Sequence, residues 1–262
     1  MGRIRLTRLV AGLGRSSLHI AATVGGMALL LGQLLSSTSR LRWDRTELIR
    51  GLYRMGVSSI PIVALTAVFV GAIMVVQAAP LVQRFDAKPL LGWAAGFSTL
   101  REIGPLLTAL MLSGRIGANN TAQLGTMVVT EQIDALRALA IDPMDYLLVP
   151  RFLAMVVTFF LATIFSDVLA LFGAACVGQL LLSVDVMTFF QGVTGGRLGA
   201  GDVWHGLIKS AAFGVVVGLC SCLFGISTSG GAPGVGRSVT QGVVVSAMAI
   251  FALDYLLSFL IG

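Results

Sequence analysis

The stretch STLREIGPLLTALMLSGRIGANNTAQLGTMVVTEQIDALRALAIDP, from Ser98 to Pro143, contains the features that decide the fold. A charged pair, Arg101-Glu102, stands at the start of a long apolar run, and a short segment with acidic and basic residues follows that run. The apolar run is long enough to cross a bilayer as a helix, which takes about 20 residues. The stretch therefore predicts a membrane helix followed by a separate short helix in the adjoining loop.

Composition places the whole chain in the same class. It is 56% hydrophobic and 11% charged, with a mean hydropathy of +0.92, whereas a soluble domain is about 25% charged. Its apolar runs are much longer than the roughly 10-residue strands of a membrane barrel. We therefore predict an all-α integral membrane protein. In such a protein the net charge of +6 indicates loop topology and contact with anionic headgroups, and no nucleic-acid partner.

Five apolar runs predict transmembrane helices. The third run is longer than one bilayer crossing requires, but no turn signal interrupts it, so we expect one long tilted helix. The predicted spans are Ser58–Ala79, Ile103–Met127, one within Leu147–Leu182, Leu207–Ser227 and Val239–Ile261.

The N-terminal run Leu18–Leu35 has arginines on both sides, and a span there would export one of the two arginine clusters against the positive-inside rule. We expect an interfacial (elbow) helix within a basic cytoplasmic segment 1–54, followed by a transmembrane domain 55–262. A sixth span and a cleaved signal peptide are the alternatives. With an interfacial helix and five spans, the C-terminus lies outside, and so do loops 80–96 and 183–203.

The segment from Thr130 to Ala140, on the cytoplasmic side in this topology, has the pattern of a short helix. Thr130 can cap its N-terminus, two acids occupy its first turn, and Asp134 can pair with Arg137. An ordinary loop helix is the simpler interpretation. The functional one is a coupling helix that docks on a cytoplasmic ATPase, through Glu131, Ile133, Asp134, Leu136 and Arg137.

Charges from three distant segments fall in the same outer layer of the predicted bundle: Arg101-Glu102, Lys209 and Asp254. Intramembrane charges are costly unless paired or hydrated, so they are functional candidates. We expect a Lys209–Asp254 ion pair that stabilises the bundle, although Glu102 could instead close a capping box with Thr99, and Lys209 could extend to the headgroups. Asp167, in the third span, is a further candidate.

Small residues recur at helical spacing along the second span, which predicts close packing against another helix of this chain or of a second copy. Arg115 and Asn119-Asn120 lie on the same span, and we expect them to face protein or water. The glycine-rich segment 230–236 predicts a tight turn, and the three cysteines predict small core residues. The small packing residues are Ser113, Gly117, Thr121 and Gly125.

Catalytic motifs are missing from the sequence. The nearest string to a phosphate-binding loop, Gly201–Gly206, is followed by Leu207 in place of Gly-Lys-Ser/Thr. The two histidines, His19 and His205, are too far apart for a metalloprotease pair, and we expect no metal or other cofactor in this chain. A non-catalytic role follows, with any nucleotide chemistry supplied by a partner.

Four segments in this order give the chain a specific resemblance. EIGPLLTALMLSGRIGANNTAQLGTMVVTEQIDALRALAIDPMDYLLVPR (Glu102–Arg151), LIKS (Leu207–Ser210), TSGGAPGVGRSVTQGVVVS (Thr228–Ser246) and LDYLL (Leu253–Leu257) resemble the MlaE/YrbE family of permease subunits. These subunits belong to ABC transporters that work with MCE proteins.

The resemblance implies a homodimer in the bacterial inner membrane, with two ATPase subunits that bind ATP and magnesium. It also implies an outer-side ring of MCE-domain lipid-binding proteins and, in some systems, a STAS-domain protein. The implied substrate is phospholipid moved between inner and outer membranes, with a role in outer-membrane asymmetry. On this resemblance the positions of Arg101, Glu102, Lys209 and Asp254 line or support the lipid pathway.

Two other classes of function compete. A secondary transporter or proton-coupled channel could use the intramembrane charges as a relay and would need no ATPase, although five spans offer no inverted repeat. A membrane-embedded enzyme would need a nucleophile with its base, or a metal set, and the sequence offers neither.

Overall fold

The computed structural model describes residues 2–39, 44–86, 88–195 and 198–261, with the side chains of residues 2–17, 19, 20 and 39 outside that description. Every regular element in this part of the chain is helical, which confirms the predicted all-α class. Eleven α-helices follow one another: α1 Gly2–Ser39, α2 Arg45–Met55, α3 Ile60–Arg84, α4 Leu91–Ser98, α5 Gly104–Leu112, α6 Ala118–Val129, α7 Gln132–Ala138, α8 Val149–Leu182, α9 Val186–Thr194, α10 Ala200–Ile226 and α11 Gly231–Ile261.

Short 3-10 and π segments lie between several of these helices. In three places a π segment continues the helical run without a break, and a π-bulge inserts an extra residue that changes the direction of the following side chains. The 3-10 segments are Val57–Ser59 and Lys88–Leu90, and the π segments are Thr99–Ile103, Ser113–Gly117 and Met144–Leu148.

By length and composition, five helical segments of the described chain could cross a membrane. The third predicted span is one uninterrupted helix, as expected, and it continues the π segment before it. The fourth and fifth spans begin earlier than predicted, at Ala200 and Gly231, and the helix of the first span, α3, is preceded by α2 and a 3-10 segment. The five segments are Ala21–Thr38, Arg45–Arg84, Met144–Leu182, Ala200–Ile226 and Gly231–Ile261.

The second predicted span, Ile103–Met127, is helical but is not among these five. Arg115 and the pair Asn119-Asn120 make its composition too polar. The bundle accommodates part of this polarity inside the protein, since Asn120 is buried and Arg115 donates to the backbone carbonyl of Ser58. Asn119 is exposed.

The N-terminal segment forms one 38-residue helix, α1, of which the part Ala21–Thr38 is long and apolar enough to cross a membrane. Leu30 and Leu34 of this helix are buried against the start of α8 and the end of α10. Its interfacial location and the division at residue 54 remain predictions. Several of the arginines that motivated them, and His19, lie outside the described residues or side chains.

The core consists of three buried clusters that follow one another along α8. One joins the ends of α3 and α8 to α4 and α9, the middle one joins α3, α5, α8 and α10, and the third joins α1, α6, α8 and α10. Fully buried side chains that represent the three clusters are Leu91 and Phe189, then Phe159 and Phe213, then Leu34 and Leu124.

Two predicted loops and one predicted turn differ from the structure. The segments 80–96 and 183–203 contain the short helices α4 and α9, which pack on each other. The glycine-rich turn is shorter than predicted, because α11 begins at Gly231. Within the segment 230–236, Gly230 and Gly231 have positive φ angles, of 85° and 70°, which side chains disfavour, so the chain reverses there. Of the cysteines predicted as core residues, Cys220 and Cys222 are buried and Cys176 is exposed.

Candidate functional site

Four side chains from three helical segments meet in what we call the charge cluster: Glu102, Lys209, Asp254 and Ser258. The Lys209 Nζ lies 2.5 Å from the Glu102 Oε2, 3.3 Å from the Asp254 Oδ1 and 2.7 Å from the Ser258 Oγ. The ammonium group donates hydrogen bonds to Glu102 and Ser258 and forms an ion pair with Asp254. The predicted Lys209–Asp254 ion pair is present, and Glu102 approaches the lysine more closely than Asp254 does.

Burial differs within the charge cluster. The side chain of Lys209 is 2% exposed, which excludes the expectation that it extends to the headgroups. The side chains of Asp254 and Glu102 are 16% and 37% exposed. A buried cation is thus held between two carboxylates that remain partly open on one side.

Close helix contact brings the charge cluster together. The π segment Thr99–Ile103 carries Glu102, and Gly206 of α10 packs directly on it. A Cβ atom at residue 206 would lie 2.0 Å from the carbonyl oxygen of Leu100, so only glycine permits this approach. The approach places Lys209, one turn further along α10, against Glu102.

The alternative in which Thr99 and Glu102 form a capping box is wrong. The helical run begins at Leu91, so Glu102 lies in its interior, and the buried Thr99 Oγ1 has no hydrogen-bond partner among the described residues. The carboxylate instead accepts from Lys209 and Ser258.

Arg101 points away from the charge cluster. Its Nη1 lies 3.4 Å from the Asp202 Oδ1, and its guanidinium stacks over the ring of Phe97 at 5.3 Å. Asp202, in the first turn of α10, was not a sequence candidate. Arg101 therefore links α10 to the segment that begins with α4, and it does not compete with Lys209 for Glu102.

Asp167 is buried, with 5% of the residue exposed, and its Oδ1 has no hydrogen-bond partner among the described residues. It lies against Gly104, two residues after Glu102, and its neighbour Ser166 accepts a hydrogen bond from Thr108. Asp167 thus borders the segment that carries Glu102 without forming an ion pair.

The small residues of the second predicted span face α10 of the same chain and the segment after it. Gly117 packs on Val217, the Thr121 Oγ1 donates to the carbonyl of Ser221 at 3.2 Å, and Gly125 packs on Thr228. Ser113 is also buried. The close packing is confirmed, and the partner helix is intramolecular.

The predicted short helix in the loop exists as α7, and Asp134 pairs with Arg137 at 2.9 Å. Thr130 does not cap it, because its hydroxyl donates to the carbonyl of Thr126 in the preceding helix. Glu131 takes the N-cap position with a φ of 57°.

Only part of α7 is available to a partner. Ile133 is buried in its own chain and Leu136 is half-buried, whereas Glu131, Asp134, Arg137 and Leu139 are exposed. Asp142 accepts from the backbone nitrogen of Met144 and so caps the next helical segment.

Ser258 belongs to the charge cluster but was not a sequence candidate. It follows Asp254 by one helical turn, so the i, i+4 spacing could have identified it. A second polar group, made of Arg54, Asn120, Gln123 and Arg151, was also missed, because its members lie on three different helices.

Comparison with known proteins supports a transport role. The model of the family Permease MlaE matches residues 48–260. A probable ABC transporter permease protein of Rickettsia felis is 34% identical over 253 residues, which is 97% of each chain. A probable ABC transporter permease protein of Synechocystis is 36% identical over 88% of each chain. The chloroplast protein TRIGALACTOSYLDIACYLGLYCEROL 1 of Arabidopsis thaliana is 32% identical over 84% of this chain and 62% of its own length.

Proposed function

The chain belongs to the MlaE permease family and is a multi-pass membrane protein, and from this premise we propose that it moves phospholipid or a related lipid between the inner and outer membranes. It would do so as the permease subunit of an ABC transporter in a bacterial inner membrane. The charge cluster is the observation that carries the lipid assignment.

The charge cluster offers suitable chemistry for a lipid. Buried charges in a membrane helix bundle are costly, so their presence indicates a polar function at that depth. Lys209 is neutralised by its partners, so the partly exposed Glu102 carboxylate is suited to the ammonium of a zwitterionic headgroup and not to a phosphate. One relative's printed name contains a diacylglycerol glycolipid, which supports a lipid substrate class.

The energy would come from a separate ATPase that binds ATP and magnesium. The sequence has no phosphate-binding loop of its own, and several relatives carry the name ABC transporter permease. The exposed surface of α7, with Asp134 and Arg137, together with the exposed Leu139 directly after it, is the proposed docking element.

A second copy of the chain would complete the lipid pathway. In the apolar stretch of α11, only 11% of the residues are buried within this chain. Phe251, Tyr255 and Phe259 form an exposed row on the same helix. Asp254 and Ser258 lie on the same helix, so a partner packed on α11 would border the charge cluster. An MCE-domain ring on the outer side and a STAS-domain protein complete the proposed assembly.

The test is reconstitution into liposomes with and without a co-purified ATPase, with fluorescent phospholipid transfer to acceptor vesicles as the readout. We expect transfer that requires ATP and falls at least tenfold in Lys209→Met. Transfer by the permease alone, driven by a proton gradient, would support the secondary-transporter alternative and refute this proposal.

A further inference from the structure

Arg151, in the first turn of α8, is a buried guanidinium with uncharged partners. The residue is 8% exposed, and its Nη1 lies 3.3 Å from both the Asn120 Oδ1 and the Gln123 Oε1. Its Nη2 lies 3.9 Å from the Met127 sulfur. These contacts are all to uncharged groups, and the charge of Glu47 acts on Arg151 only from beyond ion-pair distance.

A second guanidinium shares the same acceptor. The Arg54 Nη1, on α2, lies 3.3 Å from the Gln123 Oε1. The chain has twelve acidic residues, all at described positions, and none places a carboxylate oxygen within 4.0 Å of Arg54 or Arg151. Glu47, also on α2, is already paired with Arg50 at 2.9 Å. Burial of a cation without an ion-pair partner is unfavourable. This applies to Arg151, whereas the exposed Arg54 is accessible to an external anion.

A cavity of about 340 Å³ opens beside Arg151. It lies where α6, the start of α7 and the start of α8 meet. Both polar and apolar side chains face it. It is lined by Ala122, Gln123, Thr126, Met127, Gln132 and Arg151.

The cavity is far from the charge cluster. Gln123 follows Glu102 by 21 positions along one nearly continuous helical run, which corresponds to about 31 Å at 1.5 Å per residue. The arginines therefore lie at the opposite end of the bundle, beside α7, where the positive-inside rule places the cytoplasmic leaflet.

We propose that Arg54 and Arg151 bind the phosphate of an anionic phospholipid from the leaflet at the α7 end. Guanidinium groups bind phosphate through two parallel hydrogen bonds, and basic pockets between membrane helices on the cytoplasmic side are typical headgroup sites. Met127 and Ala122 provide apolar contact for the glycerol and the first methylenes. The site is separate from the transport pathway and would anchor α2 and α8 to the bilayer.

Native mass spectrometry of the purified full chain tests this site. Phosphatidylglycerol is compared with diacylglycerol of the same acyl chains, and inorganic phosphate is added as a competitor. We expect Arg54→Gln to retain one phosphatidylglycerol fewer per chain, with diacylglycerol bound weakly by every variant. Arg50→Gln is the matched control, because Arg50 lies on the same helix, is 62% exposed and already has Glu47 as its partner.

Three outcomes decide the matter. Loss of one phosphatidylglycerol in Arg54→Gln but not in Arg50→Gln supports the site, and Arg151→Gln should then lose the same lipid. If Arg151→Gln does not fold, the Arg54→Gln variant still tests the site, because Arg54 is exposed. If inorganic phosphate binds in place of the lipid, the site binds a soluble phosphate, and the proposal that it binds a phospholipid is overturned. Unchanged lipid retention in Arg54→Gln overturns the proposal, and weaker ATPase association on co-purification would then assign the arginines to a carboxylate of the partner protein.

Discussion

At the scale of single residues, Lys209 holds three oxygen acceptors from two other helical segments in one place. Its removal leaves Glu102 and Asp254 close together with no cation between them. Like charges at short range repel, and a buried charge without its partner costs about 3–5 kcal/mol. Lys209 is therefore the member of the charge cluster whose loss should matter most.

We predict that Lys209→Met lowers the stability of the detergent-solubilised protein by about 3–5 kcal/mol. Asp254→Leu should cost less, because Lys209 keeps Glu102 at 2.5 Å. The double change Lys209→Met with Asp254→Leu should recover only part of the loss, since Glu102 stays charged and is 37% exposed to solvent screening. Thermal unfolding of the three variants measures this order.

The change Glu102→Gln tests whether the loss of stability that remains in the double variant comes from the negative charge of Glu102. Added to the double change, it removes the last carboxylate while the side chain keeps its shape, so stability should rise. If the losses at Lys209 and Asp254 are strictly additive, the two residues are not coupled and the charge cluster is not an energetic unit.

Part of the charge cluster could be predicted from sequence because depth in a span is readable from position. Lys209 and Asp254 fall at similar depth on different spans, and they do pair. Glu102 was partly misassigned because Thr99 and Glu102 have capping-box spacing. That pattern has its meaning only at a helix start, and the helix starts at Leu91. Its real partners are 107 and 156 residues away, a separation that no local pattern records.

At the scale of elements, α7 packs on its own chain through Ile133 and leaves its opposite face exposed. Periodicity predicted the helix, and the Asp134–Arg137 pair confirms its register. The cap was misassigned because Thr130 bonds back to the helix it leaves. The apolar residue that the chain leaves open is Leu139, which is 72% exposed.

We predict opposite consequences for two changes in this region. Leu139→Asp should weaken ATPase association at least tenfold, because it places a charge in an apolar groove, and it should leave the permease stable. Ile133→Ala, at a residue 7% exposed, should instead destabilise the permease by about 2–5 kcal/mol. Co-purification and thermal unfolding separate the two effects, and an intact ATPase complex in Leu139→Asp contradicts the docking surface.

At the scale of the whole molecule, composition predicted the all-α membrane class and most of the spans. Hydropathy alone did not assign two segments. The run from Leu91 to Val129 is polar enough to miss the composition of a span, yet it packs against α8, α10 and α11. Its polar side chains find partners on those helices, which a count of apolar residues cannot register. The converse holds for α1, where an apolar stretch is long enough to cross but is flanked by arginines.

Cysteine labelling decides whether α1 crosses. In a background without the exposed Cys176, single cysteines replace Leu18 and Arg45, which flank the apolar part of α1. An interfacial helix keeps both on the arginine-rich side, so an impermeant thiol reagent added outside intact cells should label neither. Met187→Cys in α9, at a residue 65% exposed, should label and shows that the reagent works. Ala232→Cys, at the start of α11, should remain unlabelled until the membrane is permeabilised. Labelling of Leu18→Cys or Arg45→Cys in intact cells would mean that α1 spans, that the chain crosses six times, and that the two ends lie on the same side.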